Sequence, residues 1–266
     1  MKLGFKMFPL LVMFICSVSL YAQDEATSAS LYNEGVASLK AKEYDEALDL
    51  MIQALDKADP EKDQNIISLA SRNGAIAAYY SGGQARRGDK IDEAIEIYKK
   101  GIELSPEFYV NYGGLALALN QKGMGVEAIT AYMTGAEMAE KSDKQDKAQE
   151  YLDNAGVFIS RAYSNSEWDD TIELAKVYLE HAEAPNVYYY LARALEQKNE
   201  YQEALESIEK AIEMEEGGED LRNYFAQGVI YEGMGNTSSA IAAYRKVTSG
   251  RYAETAKYNI DQMGNN

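Results

Sequence analysis

His181 is the one histidine in this chain of 266 residues, and Cys16 is the one cysteine. A general base, a thiol nucleophile or a tetrahedral metal site built from these types has almost no material. His181 stands in "VYLEHAEAPN", at the end of a predicted helix, where an imidazole complements the negative end of the helix dipole. Carboxylates are plentiful, but "DKADPEKDQN" and "MEEGGEDL" lack the Asp-x-Asp-x-Asp-Gly order of a calcium loop. The glycines of "GMGNTSS" and "YSGGQARRGDK" lack the strand–loop–helix setting of a phosphate-binding loop, so both stretches read as turns. Arg86 and Arg87 fall on the second of these, a solvated insert that could touch an acidic partner. No catalytic, metal or cofactor set emerges, and a hydrolase is the weakest reading. What the sequence does offer is contact chemistry. It has 21 tyrosines, three of them together in "NVYYYLARALEQKNEYQEALESIEKAIEM", residues 186–214.

Bulk properties narrow the partners. The net charge is −17, and a surface this acidic repels phosphate backbones and anionic lipid head groups, which argues against nucleic acid. "MKLGFKMFPLLVMFICSVSLYAQDEA" places Lys2 and Lys6 before an apolar run and then Tyr21-Ala22-Gln23. That is the order of a secretory signal peptide over residues 1–22, with cleavage after Ala22. Loss of Lys2 and Lys6 takes Lys+Arg from 26 to 24 against 43 Asp+Glu, a net −19. Cleavage also removes Cys16, so the mature chain could form no disulfide. No later stretch is apolar enough to span a bilayer. The expectation is an exported protein, periplasmic or secreted and outer-surface associated, without membrane insertion.

The tyrosines must be positioned by something, and the spacing around them recurs. Tyr188-x2-Leu191-Ala192-x2-Leu195 is followed by Ala204-x3-Ile208-x2-Ala211. Tyr224-x2-Gln227-Gly228-x2-Tyr231 is followed by Ala240-x3-Tyr244-x2-Val247, and Tyr112-x2-Leu115-Ala116-x2-Leu119 by Ala128-x3-Tyr132-x2-Gly135. Weaker copies carry Gly35, Ala47, Met51 and Ala54; Gly74, Ala94, Tyr98 and Gly101; and Ala155, Phe158, Ala162 and Thr171. This pattern resembles the tetratricopeptide repeat, a helix–turn–helix unit of about 34 residues. The resemblance implies an all-α fold: a right-handed α-solenoid of about six units plus a capping helix. The units would fall at approximately 28–60, 65–106, 109–140, 146–183, 185–218 and 221–250, with the cap at 251–263. Close helix approach is expected where small residues face each other, as Gly228 and Ala240 or Gly35 and Ala47 would.

The resemblance also divides the tyrosines. Tyr188 takes the aromatic packing slot. Tyr189, about 100° further round the helix, faces the concave inner surface in this family. The same slot holds Tyr32 and Phe225, and neighbouring turns bring Val36, Asn186, Arg193 and Arg222 onto that face. These seven residues form a candidate groove for an extended peptide or a helix of a partner protein. The family's carboxylate clamp of Lys, Asn and Arg is not reproduced, because Tyr32 and Val36 stand at comparable positions. The expected role is a non-catalytic interaction scaffold in the cell envelope. An extracellular glycan-binding solenoid, its rings stacked on sugars, is the alternative.

Overall fold

The structure is a computed structural model that describes residues 26–215 and 221–264. The expected signal segment, Cys16 and the cleavage site lie outside the described residues, as do residues 216–220. Among the described residues there are thirteen α-helices and no strand. Twelve form consecutive pairs: α1 (Ser28–Ala41) with α2 (Tyr44–Lys57), α3 (Gln64–Arg87) with α4 (Ile91–Leu104), and α5 (Val110–Gln121) with α6 (Gly125–Lys141). Then come α7 (Gln145–Ser164) with α8 (Trp168–Leu179), α9 (Pro185–Gln197) with α10 (Tyr201–Met214), and α11 (Leu221–Gly233) with α12 (Thr237–Tyr244). The thirteenth, α13 (Ala253–Gly264), packs on α12. Each helix contacts its sequence neighbours, which makes an all-α helical-repeat solenoid.

Local signals set the helix ends. Thr27 and Ser30 form a reciprocal capping box at the start of α1, and the Asn236 side chain accepts from the Ser239 N–H at 3.1 Å. Several second helices open on acidic pairs, such as Asp45 and Glu46 or Asp92 and Glu93, which suit the positive end of the helix dipole. Every pair turns on one left-handed residue: Lys42, Asp89, Gly123, Ser166, Asn199 and Gly235 in succession. The next N–H then reaches back to a carbonyl five residues earlier, as Glu43 does to Ser38 at 2.9 Å and Glu200 to Leu195 at 2.9 Å. Asp143 repeats this geometry between α6 and α7, so that unit-to-unit link is as tight as those inside the pairs.

The repeated alanines are the floor of the packing. Ala47, Ala94, Ala128, Ala204 and Ala240 are all fully buried. Thr171, which stands where the fourth pair lacks alanine, is also fully buried, and its hydroxyl donates to the Glu167 carbonyl at 2.7 Å. The odd residue fits because its one polar atom is satisfied within its own helix.

What the glycines face differs from the small-on-small expectation. A Cβ on Gly228 would meet the Tyr244 ring, and one on Gly35 would meet Met51 Cε at 2.9 Å; both are four residues beyond the alanine. Tyr98 shows the reason most clearly. Its ring sits between Gly82 on α3 and Gly114 on α5, leaving no room for a side chain at either. Tyr151 on α7 fills the same kind of gap between Gly113 and Gly135. At these positions glycine makes room for a large side chain from a neighbouring helix, and the Tyr98 and Tyr151 rings tie successive pairs together.

The stretch "YSGGQARRGDK" is corrected on the same ground. It is not a turn throughout: α3 runs unbroken through Arg87, and only Gly88, Asp89 and Lys90 leave the helix. Gly82 and Gly83 are buried helical positions kept bare by Tyr98 and Arg87. The other predicted turn, "GMGNTSS", is a turn around Gly235, with Asn236 capping α12.

Two predictions follow from the seated rings. Gly228→Ala and Gly114→Ala force a methyl into a tyrosine ring and should each cost about 1–3 kcal/mol in denaturant melts followed by circular dichroism. Gly156→Ala, on a helix with open space around the added carbon, should instead gain up to about 1 kcal/mol. Burial pushes the Tyr132 hydroxyl up to about 12 and moves Tyr151 and Tyr244 the same way. A raised folded-state pKa means full stability below the ordinary tyrosine value of about 10 and loss as pH climbs from there through the folded value. Melts across that alkaline window should show the decline, and Tyr132→Phe should shallow it.

Candidate functional site

The first helices of consecutive pairs line two hollows. One, of about 420 Å³, lies among α3, α5 and α7. Its floor is Tyr132 together with Tyr98 and Tyr151, the two rings that the glycine pairs Gly82-Gly83 and Gly113-Gly114 accommodate. Its rim carries Tyr79, Tyr80 and Leu117, which are 37 %, 45 % and 41 % exposed, unusual values for large apolar side chains. Tyr80 is held from behind by Tyr44, stacked at 4.8 Å, while Tyr79 meets it edge-on at 5.2 Å. Arg86 and Arg87 enter from the last turn of α3, and Lys147 and Glu150, paired at 2.6 Å, stand on α7.

The second hollow, of about 560 Å³, lies among α7, α9, α11 and the segment that leads to α13. Tyr163, Tyr189 and Tyr190 form a ring cluster there, with centroids 5.1–6.2 Å apart. The Arg222 guanidinium lies over the Tyr189 ring at 4.4 Å, and that of Arg251 over Tyr252 at 4.8 Å.

Of the seven residues expected on the groove, Tyr189, Arg193 and Arg222 meet around the Tyr163 and Tyr189 rings, and the rest lie elsewhere. Tyr189 and Arg222 share the second hollow, but Tyr189 is only 7 % exposed, closed over by Tyr163 and Arg222. Tyr188, expected in the packing slot, is the more open of the two, and its hydroxyl donates to Glu183 at 3.3 Å. Arg193 turns inward and pairs with Glu196 at 3.0 Å. Phe225 stacks on Tyr252 at 4.6 Å, so the cap occupies its face. Asn186 borders a separate depression between α7 and α9. Tyr32 accepts a hydrogen bond from Asn73 Nδ2 at 3.2 Å, and with Val36 it packs on the Leu31–Met51 cluster far along the chain. Counting round one helix gave the direction of each side chain. It could not show which neighbouring helix covers it.

The hollow that sequence reasoning missed is the first. Its signal was present in two Gly-Gly pairs, each within a few residues of tyrosines on a predicted first helix, but one pair was assigned to a loop. Chemically both hollows offer rings, guanidinium groups and hydroxyls. Among the described residues no group of three or more His, Cys, Asp or Glu is placed to hold a metal ion. No described helix is long and apolar enough to cross a membrane.

Family models described as tetratricopeptide repeat match residues 185–217, and residues 86–108 and 221–249. Curated proteins yield no match. Among solved structures, the chain is similar to MamA at 21 % identity, over 69 % of this chain and 94 % of that one, with a TM-score of 0.40. It is similar to the TPR2AB domain of yeast Sti1, solved in complex with pHSP90, at 17 % identity over 89 % and 96 %, with a TM-score of 0.36. YrrB, described as a TPR protein with an unusual peptide-binding site, aligns at 16 % identity over 74 % and 90 %, also with a TM-score of 0.36. The matched segments fall on α4, on α9 with α10, and on α11 with α12, and they mark tetratricopeptide repeats within the helical-repeat array.

Proposed function

We propose that the chain is a non-catalytic protein-interaction scaffold that binds a peptide or helical segment of a partner protein on the face formed by the first helices. The observation that carries this reading is the first hollow. Exposed rings and an exposed leucine stand over a floor of rigidly seated tyrosines, so contact area is on offer with little ordering cost. Aromatic side chains and arginine are the types that dominate protein-binding surfaces. Solenoids present such faces because stacking leaves the first helices of every unit on one side.

The second reading, binding of glycans outside the cell, draws on Tyr79 and Tyr80. It is the weaker one, because Tyr44 already covers one face of the Tyr80 ring. Residence in the cell envelope, after export and cleavage at Ala22, is part of the proposal and is supported by the order of charge, apolar run and small residue at the N-terminus.

Placement of a photo-crosslinking residue at Tyr80 or Leu117 in the native cell should give protein adducts that the same residue at Glu206, on α10, does not. Adducts only at Glu206, or at all three sites equally, would remove the groove assignment, and glycan adducts alone would favour the second reading. N-terminal sequencing of the protein recovered from those cells should begin at Gln23, and a start at Met1 would contradict the export proposal.

A further inference from the structure

Many cations among the described residues are held by carboxylates. Lys122 pairs with Asp92 at 2.6 Å, Lys198 with Asp169 at 2.8 Å and Lys176 with Glu203 at 2.7 Å, as expected where 26 basic residues meet 43 acidic ones. Arg86 and Arg87 are not among them: the Arg86 guanidinium donates to the Tyr98 hydroxyl, but its Nε is buried without a hydrogen-bond partner, and among the described residues neither arginine pairs with a carboxylate. Both border the first hollow, where Lys147 is already neutralised by Glu150. Arg87 Nη1 lies 3.3 Å from the point a Cβ on Gly83 would occupy, so the bare backbone gives the guanidinium its place. The hollow is therefore a local excess of two positive charges in a chain of net charge −17. Tyr80 and Leu117 form an apolar shelf on the same rim.

A guanidinium donates through a planar fork that matches a carboxylate, and a partly desolvated donor without an acceptor is unfavourable until one arrives. We infer that the hollow among α3, α5 and α7 seats an acidic extended segment of a partner protein. A side-chain carboxylate of that segment bridges Arg86 and Arg87, and an adjoining apolar side chain rests on Tyr80 and Leu117. This rests on the interaction-scaffold reading above and names the chemistry of the partner. Charge complementarity selects the occupant: a nucleic acid meets a chain of net charge −17, and a neutral segment leaves the charge of Arg87 and the buried Arg86 Nε unanswered.

The test uses the full chain and three pools of short, C-terminally amidated fluorescent peptides that carry Leu or Phe. The first pool has Asp and Glu beside the apolar residue, the second has Asn and Gln there, and the third has Lys. Fluorescence anisotropy should show binding of the acidic pool alone, weakened as salt rises. Arg87→Glu, at an exposed position, and Arg86→Gln should each weaken it about tenfold or more. Equal binding of the amide pool, or an acidic pool indifferent to Arg87→Glu, overturns the inference. If Tyr80→Ala then still abolishes binding, the broader scaffold reading stands without it. Absence of binding by every pool also overturns it, and leaves the crosslinking experiment to decide the scaffold reading. Self-association that Arg87→Glu abolishes assigns the seat to a second copy of this chain and overturns it as well.

Discussion

A tyrosine ring resting on a backbone without a side chain is the contact on which this structure depends. Tyr98 rests on Gly82 and Gly114, Tyr151 on Gly113 and Gly135, and Tyr244 on Gly228. Each ring comes from a helix adjacent to the one that bears its glycine, so each contact fixes the distance between neighbours. Because every helix pair buries its apolar face only against the next, an error in that spacing would propagate along the stack. The buried alanines let the helices approach, and the rings stop them at one separation. Their hydroxyls end at polar partners or at the hollow, as Tyr244 does at the Glu232 carboxylate, which is how a large ring can be buried without leaving a polar atom stranded.

The same contact builds the candidate site. The glycine pairs on α3 and α5 hold Tyr98 and Tyr151 low, and the space above them is the first hollow. Removing side chains from two adjacent first helices thus serves packing on one side and concavity on the other. The second hollow is made differently. There Tyr163, Tyr189 and Tyr190 crowd together and Arg222 lies across them, leaving a surface of guanidinium groups and ring edges. The two ends of α7 serve the two hollows, which places that helix at the centre of the face.

How far the sequence could be read follows from what kind of information each feature needs. The helix pairs were legible because alanine at Ala47, Ala94, Ala128, Ala204 and Ala240 recurs at the same point of each second helix, and the pattern survives even where one copy, Thr171, departs from it. The site was less legible because a side chain's exposure depends on the neighbouring helix. Tyr189 borders the second hollow, yet Arg222, thirty-three residues on, covers it; Phe225 is taken by Tyr252, just before α13. "SGGQARR" was misread for a related reason. Glycine lowers helix propensity locally, but the Tyr98 ring that needs those glycines lies on the next helix, and tertiary packing outweighs the local cost.

Hydrogen–deuterium exchange of the full chain, with and without the crosslinked partner, bears most directly on the claim that the seated tyrosines create the working surface. Binding should slow exchange in residues 79–87 of α3 and 110–118 of α5, which frame the first hollow, while α4 and α10 stay unchanged. Protection confined to α4, α6 or α10, with α3 and α5 unaffected, would contradict it.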